Sequence, residues 1–174
     1  GVLYAEGQGV PQDYATARGW YEQAAAQGDA WAQNNLGVMY NKGQGVPQDY
    51  ATARGWYEKA AAQGDASAQN NLGLLYYAGQ GVPQDYVMAR QWYEKAAAQG
   101  HARAQGNLAE LYYAGLGVPQ DDVQAYMWVN LAAVHMKGAE QKEAAENRDD
   151  GARHMTPEQI AEAKRLTQQC LAQK

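Results

Sequence analysis

The sequence contains no phenylalanine, and it has a single cysteine and a single serine. The last two scarcities each exclude a class of site. Cys170 has no second cysteine to pair with, so the chain holds no internal disulfide and no metal site built from cysteines. Ser67 lacks the flanking glycines of a G-x-S-x-G nucleophile motif. No apolar run reaches the roughly 18 residues of a transmembrane helix, so we predict no membrane insertion.

Basic residues are also too few to favour nucleic acid, because the net charge is −5 and phosphate binding requires a basic face. From Lys137 onward there are seven basic and seven acidic residues, so the whole deficit lies in the preceding part. The histidines fit no metal-binding spacing; they are His101, His135 and His154. We predict no metal, no cofactor and no nucleic-acid partner.

What the chain has in abundance is repetition. The segment 9–28 reads GVPQDYATARGWYEQAAAQG, and the segment 45–64 differs from it at one residue in twenty. The motif GQGVPQDY begins at residues 7, 43 and 79, and a variant of it begins at residue 115. Repetition at a fixed period of 20–50 residues indicates a solenoid, because one supersecondary unit cannot bury its own apolar face.

Each repeat is predicted to hold two helices. Ala30–Lys42, called helix A, has no proline and places Leu36 and Tyr40 on one face beside the small Gly37. Copies of helix A are predicted at Ala66–Ala78 and Ala102–Ala114. After a connection containing glycine and proline, Asp49 is predicted to cap helix B, which runs from about Tyr50 to Gln63. The tryptophans at the same helix B position are predicted to make repeated core contacts; they are Trp20, Trp56, Trp92 and Trp128.

The pattern A-x-A-Q-x-N-L-G-x-x-Y, followed by G-x-G-V-x-x-D and A-x-x-W-Y-x-x-A-A-x-x-G, resembles the Sel1-like repeat, a relative of the tetratricopeptide repeat. The resemblance implies an all-α fold, an α/α superhelical solenoid of 36-residue helix pairs that scaffolds or recognises proteins. It also favours a bacterial, periplasmic or secreted protein. Relatives associated with β-lactam chemistry carry paired cysteines in each repeat, and this chain has none. We therefore predict no enzymatic activity.

The two ends are predicted to differ from the array. Residues 1–135 are assigned to the repeats, and residues 136–174 to capping helices that close the C-terminal end. Thr156, Pro157 and Gln159 form a helix-start signature there. Gly1 aligns with the middle of a helix A, so we expect an incomplete first repeat. Its exposed apolar residues, Leu3, Tyr14 and Trp20, would favour self-association through this N-terminal end.

A peptide-binding groove is predicted on the helix A face opposite Leu36, because tetratricopeptide relatives use that face. The central prediction is a row of amides at Asn35, Asn71 and Asn107 that binds the backbone of an extended peptide. The remaining predicted lining residues are Trp31, Asn34, Asn70, Arg103, Leu74, Glu110, Asn41, Tyr77 and Tyr113. Three alternatives stay open. The asparagines would tie neighbouring helices together, or the tyrosines and Trp31 would stack on a cell-wall glycan or small ligand, or the chain would act as an assembly adaptor.

Overall fold

The computed structural model describes residues 1–172, apart from the side chains at positions 140, 143 and 147. Within these residues all regular secondary structure is α-helical. The helices are α1 (Val2–Glu6), α2 (Tyr14–Ala26), α3 (Ala30–Lys42), α4 (Tyr50–Ala62), α5 (Ala66–Ala78), α6 (Tyr86–Ala98), α7 (Ala102–Ala114), α8 (Asp122–His135), α9 (Gly138–Ala152) and α10 (Pro157–Ala172). The predicted bounds of helix A are therefore confirmed in three repeats.

An aspartate precedes each B helix, which are α2, α4, α6 and α8. In α4, Oδ1 of Asp49 accepts hydrogen bonds from the amides of Ala51 (2.9 Å) and Thr52 (3.1 Å). The Thr52 hydroxyl donates to the other carboxylate oxygen at 2.6 Å. These bonds occupy amides that have no partner inside the helix, and they lower the pKa of Asp49, with the hydroxyl bond as the largest cause.

The connection between helices A and B requires glycine. Gly43 ends α3 with φ +68°, a left-handed conformation that other residues rarely adopt. Gly45 lies against the start of the preceding B helix, and a Cβ there would be 2.6 Å from Cβ of Tyr14. The connection then closes with a hydrogen bond from the Asp49 amide to the Tyr40 carbonyl at 2.9 Å. Glycine is needed here for both its dihedral angle and its size.

Two compact units divide the chain, the first spanning Gly1–Gln84 and the second beginning at Asp85. In unit 1, consecutive helices from α1 to α5 pack on each other. One hydrophobic cluster of this unit is made by small residues and a few large ones: Ala17, Tyr21, Ala25, Ala32, Leu36 and Met39. Small residues allow α2 and α3 to approach closely, while Leu36 and Tyr21 fill the space that remains.

In unit 2, α7 packs on α6 and α8, and α8 also contacts α9 and α10. The capping box predicted for α10 is confirmed: the Thr156 amide donates to Oε1 of Gln159 at 2.8 Å, and the Gln159 amide donates to the Thr156 hydroxyl at 3.2 Å. The division of the chain into an array at 1–135 and a cap at 136–174 stays a prediction, and its last two residues lie outside the described part.

Helices α3 and α4 approach each other closely at Gly37. It lies inside α3, where a Cβ would collide with ring carbons of Tyr57 on α4. Tyr57 is buried, which raises the pKa of its hydroxyl. Gly37 is thus retained inside a helix because the tyrosine ring occupies the space of a side chain.

Candidate functional site

The exposed face of the A helices in unit 1 contains two large apolar side chains. Trp31 on α3 is 51% exposed and Leu74 on α5 is 42% exposed. The ring of Trp31 contacts that of Tyr21 edge to face, with centroids 5.6 Å apart and an interplanar angle of 77°. This contact orients the indole while one side of it stays open to solvent.

The amides of Asn35 and Asn71 lie on the same face but have different partners. Nδ2 of Asn35 donates to the Trp31 carbonyl of its own helix at 2.8 Å. Nδ2 of Asn71 donates instead to Oδ1 of Asn34 on the preceding A helix at 3.0 Å. Both residues are half-buried. Asn35 therefore keeps its carbonyl oxygen available to a partner, while Asn71 also ties α5 to α3.

Two predicted lining residues, Asn34 and Asn70, are buried, with exposures of 8% and 5%. The prediction placed position 34 on the open side because it lies away from Leu36 and Gly37. An A helix in a stack, however, packs on its B helix and also against the next A helix, as the hydrogen bond from Asn71 to Asn34 shows. Only a narrow strip of the helix surface remains exposed.

The other lining residues occupy intermediate or exposed positions. Asn41 and Tyr77, at the ends of α3 and α5, are half-buried. In unit 2, Arg103, Glu110 and Tyr113 are exposed on α7, and Asn107 is half-buried. The row of three asparagines across both units stays a prediction, because Asn107 belongs to the second unit.

Sequence reasoning did not find a set of buried glutamines near this face. Gln33 donates to the Ala25 carbonyl at 3.4 Å and accepts from Nε2 of Gln63 at 2.9 Å. In unit 2, Gln105 donates to the Ala97 carbonyl at 3.2 Å, and its Oε1 lies 3.2 Å from Nδ1 of His135. The recurrence of glutamine at positions 33, 69 and 105 was the signal available in the sequence. These amides fix helix positions and are not open to a ligand.

Ser67 and His101 are the remaining candidates for catalytic or metal chemistry near this face. Ser67 is exposed on α5, and His101 caps α7 through Nδ1, which accepts from the Ala104 amide at 3.3 Å. Among residues 1–172, no group of three or more His, Cys, Asp or Glu could hold a metal ion. No helix in the same range is long and apolar enough to cross a membrane.

A family model for the Sel1 repeat matches four segments: residues 1–29, 32–65, 66–101 and 102–133. The chain belongs to the Sel1 repeat family. Proteins built from Sel1 repeats generally mediate protein–protein interactions and are generally non-catalytic scaffolds. Comparison with curated proteins gives no match.

Solved structures of bacterial proteins share the fold. A protective antigen of uropathogenic Escherichia coli strains, displaying an SLR fold, is 40% identical over 98% of this chain, with a TM-score of 0.89. This chain covers 36% of that antigen. A Sel1 repeat protein from Oxalobacter formigenes is 34% identical over 99% of this chain and 70% of its own length, with a TM-score of 0.78.

A third structure, Helicobacter pylori cysteine rich protein B, is 21% identical over 78% of this chain and 95% of its own length, with a TM-score of 0.60. That likeness shows the fold alone. The predicted fold class, an all-α solenoid of Sel1-like helix pairs, is confirmed by the family match and by these structures.

Proposed function

We propose that this Sel1 repeat chain is a non-enzymatic scaffold that binds a peptide or protein partner on the exposed face of its A helices. The observation that carries the proposal is the pair Trp31 and Leu74, exposed on successive A helices of unit 1 beside half-buried asparagine amides. Large exposed side chains anchor protein partners, and amides hydrogen-bond to a peptide backbone of any sequence.

Variation between the repeats supports the same face. Buried positions of helix A keep their residue, as with Leu36, Leu72 and Leu108. The exposed position of Trp31 instead holds Ser67 and then Arg103 in the following repeats. Burial restricts which side chains fit, whereas an exposed face is free to acquire the side chains that a partner requires.

The chemistry of the face differs between the units. In unit 1 the strip is aromatic, aliphatic and amide-bearing, while α7 of unit 2 presents Arg103 and Glu110. Two of the three imidazoles have structural partners, since His101 caps α7 and His135 contacts Gln105. These features favour recognition of a partner over catalysis.

Selection of binding peptides from a random display library, using the full chain as target, tests the proposal. Trp31→Ala and Leu74→Ala are each expected to weaken the selected peptide by about tenfold in calorimetry, because each removes an exposed anchor. Val87→Ala is the matched control, because Val87 is an equally exposed apolar side chain on helix α6, outside the A-helix face.

Asparagine variants separate binding from structure. Asn35→Ala is expected to weaken the peptide by about 0.5–1.5 kcal/mol and to leave the melting temperature nearly unchanged. Asn71→Ala is expected to lower stability as well, because it leaves buried Asn34 without its donor. The proposed face is refuted if the selected peptides bind the Trp31, Leu74 and Asn35 variants with unchanged affinity. Selective binding of muropeptides would favour a glycan ligand instead.

A further inference from the structure

Helices α3 and α5 of unit 1 are almost free of charge. One face of α5 is exposed or half-buried along its whole length, at positions 67, 71, 74 and 78, and the equivalent positions of α3 follow the same pattern. Helix α5 contains no charged residue, and Lys42, in the last turn, is the only one in α3. A partner group that lies across the two helices therefore meets no opposite charge, and burying a charge without a partner is costly.

Two large apolar side chains lie diagonally across this surface. The exposed Trp31 belongs to the first turn of α3, whereas the exposed Leu74 belongs to the third turn of α5. The position of Trp31 is open inside the array as well, because Ser67 occupies it in α5 and is exposed although α3 precedes it. The two side chains are thus anchors at opposite corners of a surface shared by two A helices.

The separation of the two anchors follows from helix geometry. Leu74 lies seven residues further along α5 than Ser67, the counterpart of Trp31, and this difference in height is about 10 Å at about 1.5 Å per residue. The hydrogen bond from Asn71 to Asn34 shows that α3 and α5 lie side by side, and the axes of packed helices are about 8–10 Å apart. The backbone positions of the two anchors are therefore about 13–15 Å apart.

This separation matches four residues of an extended peptide. A strand rises about 3.3 Å per residue, and side chains an even number of residues apart point to the same side. Two residues span about 7 Å, four span about 13 Å and six span about 20 Å, so a spacing of four brings both side chains to the anchors. Because these spacings differ by about 7 Å, the choice does not depend on the exact position of the Trp31 ring.

The asparagines lie near the middle of the path between the anchors. Asn35 and Asn71 are each four residues after the level of Trp31, on either side of the line to Leu74. The backbone N–H and C=O groups of a strand point sideways, towards the two asparagines. Each asparagine uses one N–H inside the protein, and its carbonyl oxygen suits a backbone N–H of the peptide. The central side chain of the peptide points between the two amides, which favours a small, uncharged residue there.

We infer that the segment recognised by unit 1 is extended and uncharged, with two apolar side chains four residues apart and a small residue midway between them. The apolar side chains contact Trp31 and Leu74, and the small residue lies between Asn35 and Asn71. This inference rests on the proposed binding at the A-helix face, and it adds the spacing and the chemistry of the ligand.

Three peptides of identical composition test the spacing. Their cores are Leu-Thr-Ala-Thr-Leu, Leu-Thr-Ala-Leu-Thr and Leu-Thr-Leu-Ala-Thr, with leucines four, three and two residues apart, and Gly-Ser flanks each core at both ends. Nuclear magnetic resonance of the labelled full chain follows the Trp31 indole and the Leu74 methyl signals. The first peptide is expected to bind at least about fivefold more tightly than the other two, because it alone reaches both anchors. In Leu74→Ala the three affinities should become equal, since one anchor remains.

Charged residues in the first peptide test the chemistry of its middle. Lysine or glutamate in place of the central alanine is expected to weaken binding at least about tenfold, because either charge would be buried without a partner. The same replacements at one threonine are the matched control. They should change the affinity by less than about twofold, because the threonines of an extended peptide point away from the helices.

The inference is overturned if the three peptides bind equally, if none of them shifts the two signals at millimolar concentration, or if a central charge is tolerated. Peptides from the display library that become helical on binding would also overturn it. None of these results refutes the proposed function, because the loss of affinity in Trp31→Ala and Leu74→Ala is measured on selected peptides of any spacing or conformation.

Discussion

The helix pair α3–α4 in unit 1 and the pair α7–α8 in unit 2 solve the same packing problem with different residues. In the first pair Gly37 leaves room for the ring of Tyr57. Two repeats later, the same positions hold Ala109 and Val129. One side chain has grown by a methyl group while the other has lost its ring. The interface thus constrains the two positions jointly, because interiors are packed to a nearly fixed density.

The largest expected effect comes from placing a residue of the α7–α8 pair opposite the unchanged partner residue of the α3–α4 pair. Tyr57→Val is expected to reduce the free energy of unfolding by about 2–4 kcal/mol, because it leaves a cavity beside Gly37. Gly37→Ala alone is expected to cost about 1–2 kcal/mol, since the collision with Tyr57 outweighs the gain in helix propensity. Urea denaturation of the full chain measures both changes.

The double variant is the decisive member of this cycle. With Tyr57→Val present, Gly37→Ala is expected to stabilise the chain by about 1 kcal/mol, because the methyl group enters the cavity and alanine favours the helix. The sign of the Gly37 effect should therefore reverse. Additive costs would show that the two positions are not coupled and that Ala109 with Val129 is unrelated to their contact.

A smaller effect is expected at the caps of the A helices. Asp29 and Asp65 accept from amides of α3 and α5 at 2.6 and 2.7 Å, but α7 has His101 at this position with a 3.3 Å bond. His101→Asp is expected to stabilise unit 2 by about 0.5–1 kcal/mol at pH 7, because a carboxylate suits a helix N-terminus better than an imidazole.

The gain from His101→Asp should increase as the pH falls from about 7.5 to 5.5, the range in which imidazoles acquire their proton. Protonated Nδ1 has no lone pair to accept the Ala104 amide, so the histidine cap is lost while an aspartate cap persists. Hydrogen exchange at the start of α7 measures the difference, and Asp29→His should reproduce it in α3. A gain independent of pH would contradict this role of the imidazole.

The smallest effect concerns the B helices. Thr52 lowers the pKa of Asp49 through its hydroxyl, whereas α6 has Met88 at the position of Thr52. Thr52→Met is expected to raise the pKa of Asp49 towards its usual value. Because the folded pKa is depressed, the stability it contributes is present above the unfolded pKa of about 3.9 and is lost as pH falls through the folded value.

A pH titration of the Asp49 carboxyl by nuclear magnetic resonance measures this shift. The Asp13 carboxyl in the same variant is the internal control, because it keeps its own hydroxyl donor, Thr16. An unchanged Asp49 pKa in Thr52→Met would show that the backbone amides alone lower it.

The sequence predicted the features that depend on residues close together in the chain. Asp49 as a cap, the bounds of α3 and the Thr156 capping box depend on residues a few positions apart, and they were found as expected. The prediction from sequence was wrong where a neighbouring helix determines whether a side chain is buried. Asn34 was placed on an open face, but the next A helix covers it, and the periodicity of one helix does not show which flank its neighbour occupies.

The site was less predictable than the fold for the same reason. Trp31 and Leu74 were predicted as lining residues and are exposed, yet exposure alone does not identify a partner. Trp20 is exposed, as the incomplete first repeat predicted, whereas the core contact predicted for it from the other repeats is wrong.

The contact of Gly45 with Tyr14 bears on how the chain is made. It joins a connection to the B helix of the preceding repeat, and the same contact recurs between Gly81 and Tyr50. The partner of each new connection has therefore already left the ribosome less than one repeat earlier. Such short sequence separations favour fast folding. Each added repeat can dock as it emerges, so synthesis itself would order the assembly from the N-terminal end.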